Sequence, residues 1–109
     1  MIKAEFSKKN GNIVKIVVKG HSGYSDEGSD IVCASVSSVA FMSLNGIEKL
    51  LGLNFGYETG DGYLYFVLPD DIDKKDLERA NILLKSFLLY INDLKEQYPE
   101  FIEVTELEV

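Results

Sequence analysis

One cysteine and one histidine are all that the 109 residues contain of either type. A lone thiol has no partner for an intramolecular disulfide, and one thiol with one imidazole falls short of a four-ligand zinc set. The chain is therefore expected to fold without staple or metal, to need no cofactor, and to work in a reducing, cytoplasmic setting. Basic residues are scarce as well. Eleven Lys+Arg against 18 Asp+Glu leave a net charge of −7, which repels phosphate backbones and argues against direct nucleic-acid binding. The opening MIKAEFSKKN lacks a signal-like apolar run, and no later stretch approaches the ~20 apolar residues of a membrane span, so no membrane association is expected. No low-complexity tract or linker divides the chain. A single domain over 1–109 follows, long enough to bury roughly two thirds of its unfolded surface around one core.

What is present reads as ββαββαβ. Residues 2–6 alternate apolar and polar, residues 12–19 are rich in β-branched side chains, and Asn10-Gly11 between them suits a tight hairpin turn. From Asp30 to Leu51 the period changes. Val32, Val36, Val39, Ala40, Ile47, Leu50 and Leu51 recur at helical steps, and Gly52 is placed to end the helix. Residues 53–58 and 63–68 flank the turn-rich Thr59-Gly60-Asp61-Gly62, and Pro69 closes the second of these strands. Asp73 is a candidate N-cap for a helix to about Gln97, striped by Leu77, Leu84, Phe87, Leu88, Ile91 and Leu94. FIEVTELEV supplies a last strand. Two amphipathic helices on one face of a mixed, largely antiparallel sheet make a two-layer α/β sandwich of the α+β kind. The pattern leaves strand order open.

Folding does not account for the segment Gly20-His21-Ser22-Gly23-Tyr24-Ser25-Asp26-Glu27-Gly28-Ser29-Asp30-Ile31-Val32-Cys33. It holds the only His and the only Cys. Its three glycines fit either a flexible connection or close approach of another chain. Gly23 and Gly28 have the spacing of a phosphate loop, but Ser29 and Asp30 follow where Lys and Ser/Thr would, and Asp26, Glu27 and Asp30 repel phosphate. A metal set of His21, Asp30 and Cys33 mixes hard and soft ligands at irregular spacing. Nucleophilic catalysis fits better. With a helix starting near Asp30, Cys33 lies in its first turn, where free amides and the dipole favour a thiolate and offer an oxyanion site. The dipole contributes only about 0.3–1 kcal/mol, so a cationic partner is needed, and His21 is the nearby candidate. The plainer alternative is a buried Cys and a surface His.

Gly20-His21-x-Gly23-Tyr24, followed by Gly28-x-Asp30-Ile31-Val32-Cys33-Ala34 and Ser37, resembles the signature of the bacterial ribosomal-processing cysteine protease family. That family has this length and element order and forms homodimers. The resemblance implies an endopeptidase that removes the N-terminal extension of ribosomal large-subunit protein number twenty-seven, cutting after an aromatic residue. Residue by residue, the family's catalytic His falls on His21 and its nucleophile on Cys33. Its motif Asp falls on Asp30, which either orients His21 or caps the helix. Ser37 either touches the substrate or the nucleophile, or bonds the Cys33 carbonyl. Gly20, Gly23 and Gly28 would let the loop move over a bound peptide. Ser22 and Ser35 depart from the family, standing where Ala or Gly is usual.

Two other readings stand beside the protease: a non-enzymatic ribosome-assembly or regulatory binder of a basic protein, and a small-molecule thiol hydrolase. The aromatic group Phe55, Tyr57, Tyr63, Tyr65 and Phe66 offers material for a dimer interface or substrate pocket, with sheet core expected for about half of them.

Overall fold

Asn10 and Gly11 both take left-handed φ angles of 53° and 83°, the geometry a two-residue hairpin turn requires. On either side of them β1 (Ile2–Lys9) and β2 (Asn12–Lys19) pair antiparallel. The structure is a computed structural model and describes residues 1–26 and 30–109. After the loop come α1 (Ile31–Asn45), continued by a π-helical turn at Gly46–Leu50, and a second hairpin of β3 (Gly56–Gly60) and β4 (Tyr63–Val67). α2 (Lys74–Gln97) and β5 (Ile102–Glu108) complete the order. The five strands form one sheet ordered β3-β4-β2-β1-β5, in which only the β1–β5 pair is parallel. The expected two-layer α+β sandwich is the observed fold.

Period-2 alternation on β1 and β4 sends Ile2, Ala4, Phe6, Leu64 and Phe66 to the helix side, where they are buried. Phe87 of α2 meets Phe6 there, ring centroids 5.6 Å apart. Asp73 caps α2 as expected, accepting from the Asp76 amide at 2.8 Å. The hairpin β1–β2 contains a bulge, because the register slips between Ser7 and Lys8. Next to it the Ile13 amide donates to Asn81 Oδ1 at 2.6 Å, and Asn81 Nδ2 donates to the Ile13 carbonyl at 3.1 Å. A buried amide side chain on α2 thus completes the ladder where the strands leave it open.

Three details differ from the sequence reading. β3 is Gly56–Gly60 rather than 53–58, since the two-residue turn Asp61-Gly62 sets Gly60 opposite Tyr63, while Leu53 and Phe55 pack on the core before the strand starts. Leu50 is 82% exposed instead of core-facing. The π-helical turn explains this: the Leu51 amide bonds back to the Gly46 carbonyl, five residues earlier, which rotates Leu50 outward. Finally, Ile31–Leu50 is a continuous helical stretch of 20 residues, long and apolar enough by composition to cross a membrane, where none was expected. In this fold one side of it, Val32, Val36, Ala40, Leu44 and Ile47, lies in the core.

Candidate active site

The chain leaves β2 through Gly20, whose φ of +93° and crowded surroundings admit no side chain: a Cβ there would sit 2.5 Å from the Met1 carbonyl oxygen. The Gly20 amide donates to the Gly62 carbonyl at 2.8 Å, tying the start of the loop to the β3–β4 turn. His21 follows, half of its side chain exposed, with Nε2 3.4 Å from Asp61 Oδ1. The ring lies over Gly62, where a Cβ would come within 2.8 Å of Nε2.

On the other side of the site, Asp30 is the N-cap of α1. Its Oδ1 accepts from the Val32 and Cys33 amides, each at 3.0 Å. Its Oδ2 accepts from the Ser22 hydroxyl and from the Ser25 amide at 3.4 Å. Burial of Asp30 pushes its carboxyl up, but the Ser22 hydroxyl and then the amides of Cys33, Ser25 and Val32 outweigh it and hold the group at about 2, below the usual 3.8. The geometry shows Asp30 in the capping role, and among the described residues Asp61 is the carboxylate beside His21. The expected oxyanion site at the start of α1 is also occupied: Asp30 takes the Val32 and Cys33 amides through its side chain and the Ala34 amide through its carbonyl at 3.0 Å.

Cys33 is a free thiol, partly buried in the first turn of α1. The Ser22 amide donates to its Sγ at 3.2 Å. Ser22 itself is 3% exposed, and its hydroxyl also accepts from the Tyr24 amide at 3.1 Å. The residue after His21 is therefore bonded directly to the nucleophile candidate and to the cap beside it, a link that the sequence marked only as a departure from the family. Tyr24 seats the loop on the far side, edge-on to Tyr98 and Phe101 at centroid distances of 5.4 and 5.3 Å.

His21 and Cys33 line one cavity of about 490 Å³. Gly20, Gly23, Asp30 and Ser37 border it too, and Phe41, Tyr63 and Leu64 give it an apolar wall. Ser37 makes no bond to the Cys33 carbonyl among the described residues, whereas Ser35 and Ser43 do bond back to Ile31 and Val39 in that way. Gly28 lies outside the described residues. Of the aromatic group, Phe66 is core and Phe55 packs on it at 5.0 Å. Tyr57 is exposed, Tyr63 faces the cavity and Tyr65 is partly buried. Among the described residues no three His, Cys, Asp or Glu side chains converge as a metal set would.

A thiol at a helix N-terminus and an imidazole on the wall of the same cavity, on a two-layer α+β scaffold, are the groups that thiol-dependent hydrolysis requires. The chain belongs to the cysteine protease Prp family, whose pattern it matches over residues 1–103. It is 27% identical over 108 residues to the ribosomal processing cysteine protease Prp of Bacillus subtilis, covering 96% of each chain. Its fold superimposes with a TM-score of 0.86 on an essential ribosomal processing protease Prp from S. aureus in complex with a covalently linked product peptide, at 26% identity and over 97% of this chain and 99% of that one. A Streptococcus mutans protein of solved structure gives a TM-score of 0.82 at 32% identity, over 100% of this chain and 96% of that one. This protein is a cysteine-type peptidase.

Proposed function

We propose that this peptidase removes the N-terminal extension of ribosomal large-subunit protein number twenty-seven during ribosome maturation, with Cys33 as nucleophile and His21 as its acid/base partner. Two observations carry the assignment of roles: both side chains line the same cavity, and the Ser22 amide donates to Sγ, the atom on which negative charge resides in a thiolate. The substrate reading rests on the ribosomal processing named for the relatives, and a net charge of −7 suits a basic protein partner.

In the proposed reaction the Cys33 thiolate attacks the scissile carbonyl carbon and forms a C–S bond. His21 protonates the leaving amine as the C–N bond breaks, leaving a thioester on Cys33. Water, deprotonated by His21, then attacks the thioester and releases the thiol. The product peptide covalently linked in the S. aureus structure fits such a route. The peptide is taken to run between the loop, at Gly20 and Gly23, and α1, where the Ser37 hydroxyl one turn after Cys33 is free to contact it. Tyr63, Leu64 and Phe41 supply an apolar wall suited to an aromatic residue before the cut. The free thiol supports a cytoplasmic working site. A homodimer is proposed as well, supported by Met42, Leu50, Ile82 and Leu89, which are 67–82% exposed on the helical layer.

The test is incubation with the extended ribosomal protein and mass spectrometry of the products. Wild type is expected to release the extension, and Cys33→Ala to lose at least about a thousandfold in rate, as removal of a catalytic nucleophile does. Unchanged cleavage by Cys33→Ala overturns the assignment. A stable complex with uncut partner in both proteins instead supports the binding module.

A further inference from the structure

Asp61 is not part of the signature that carries the family resemblance, and nothing in the sequence connects it to His21, forty residues earlier. We propose that Asp61 is the positioning residue of the His21 imidazole, holding Nε2 so that Nδ1 is the nitrogen that exchanges protons with Cys33 and the leaving amine. This inference rests on the protease reading of the site.

Four observations converge. Asp61 Oδ1 lies 3.4 Å from His21 Nε2. Asp61 occupies the two-residue turn between Gly60 and Tyr63, which face each other across the hairpin, so its backbone is placed by the β3–β4 pairing. The same turn accepts the Gly20 amide through the Gly62 carbonyl at 2.8 Å, which fixes the imidazole-bearing backbone relative to it. Gly62 has no side chain, and a Cβ there would stand 2.8 Å from Nε2, so the turn is shaped to receive the ring. The other acidic side chain bordering the cavity near Cys33, Asp30, is committed to capping α1.

The chemistry follows from the two ring nitrogens being distinct. An acceptor at Nε2 favours the neutral tautomer that carries its proton there, which leaves the Nδ1 lone pair as the base. A carboxylate at Nε2 also stabilises the imidazolium once the thiol proton has moved. Asp61 is 80% exposed and His21 54% exposed, so water screens the pair in the free protein. A peptide filling the cavity displaces that water and strengthens the interaction when the chemistry needs it.

Because the chain has a single histidine, its imidazole nitrogens are read without ambiguity by ¹⁵N NMR. In a Cys33→Ala background, at alkaline pH where an imidazole is neutral, the Nε2–H tautomer is expected to exceed its share in a free histidine side chain, to keep that excess in Asp61→Asn, which retains an acceptor oxygen, and to fall back to the free-histidine ratio in Asp61→Ala. In the otherwise wild-type enzyme, Asp61→Ala is expected to lower kcat/KM on the extended ribosomal protein by about tenfold, carried by kcat, while Asp61→Asn, which keeps the acceptor but not the charge, loses less than Asp61→Ala. Unaltered tautomer populations in Asp61→Ala overturn the proposal, and so does a kcat within about twofold of wild type. If wild type itself cleaves nothing, the protease substrate reading fails, while the tautomer measurement still decides whether Asp61 positions the ring.

Discussion

Asp30 gathers four donors onto one carboxylate, the Ser22 hydroxyl and the amides of Ser25, Val32 and Cys33. It joins the loop bearing His21 to the helix bearing Cys33. Those bonds hold its carboxyl at about 2 against an ordinary 3.8. The folded state therefore takes up this proton less readily than the unfolded chain, so the bonds contribute their full stability above about pH 4 and lose it as pH falls toward 2. The difference amounts to on the order of 2 kcal/mol. Urea unfolding followed between pH 5 and pH 2 is expected to show this decline, and Asp30→Asn to flatten it and lower stability at neutral pH. An Asp30→Asn variant with the wild-type pH profile contradicts the account. Composition and motif drew attention to Asp30, yet its choice between capping and orienting depends on which donors surround it. Ser22 shows the same division: its smallness was visible in the sequence, while its bonds to Asp30, Tyr24 and Cys33 exist only after the loop closes.

Elements were legible where their signals are local. The Asn10-Gly11 turn, the Asp73 cap and the stripe from Leu84 to Leu94 each depend on residues within one or two turns of one another, and each is found as read. β3 was displaced in the reading because all five of its residues are exposed at the sheet edge, so no burial pattern marks its limits. The π-helical turn after α1 has no period of its own in five residues. Asn81 was missed for another reason: a polar residue amid the stripe of α2 reads as surface, whereas it is 2% exposed and bonded to both backbone groups of Ile13. Asn81→Ala leaves those groups without partners inside the core and is expected to cost about 2–3 kcal/mol, measured as a drop in the urea midpoint with little change in slope. Asn81→Leu, which restores volume but no hydrogen bond, is expected to recover little of that loss.

At the scale of the whole molecule, sheet order brings the site together. Antiparallel pairing of β2 with β4 carries the β3–β4 hairpin to the base of the His21 loop, so residues 59–64 border a cavity whose remaining lining comes from the first 41 residues of the chain. The helical layer leaves Met42, Leu50, Ile82 and Leu89 largely exposed, and the proposed homodimer is the reading that would bury such side chains. Analytical ultracentrifugation is expected to find twice the 12.2 kDa chain mass. Charged replacements, Met42→Glu with Leu89→Glu, are expected to shift the species toward monomer while the fold persists by circular dichroism. A wild-type protein that stays monomeric at micromolar concentration rules the dimer out.

The sequence by itself determined the element order, the two helical stripes, the acidic charge and the closeness of the only His to the only Cys, because periodicity, composition and short spacing are properties of neighbouring residues. Tertiary structure alone decided that Asp30 caps α1, that the first-turn amides of α1 are engaged, and that Asp61 stands beside His21. Those choices rest on hydrogen bonds and close approaches between segments up to forty residues apart, and no local pattern encodes which partner a buried or cavity-lining group will meet.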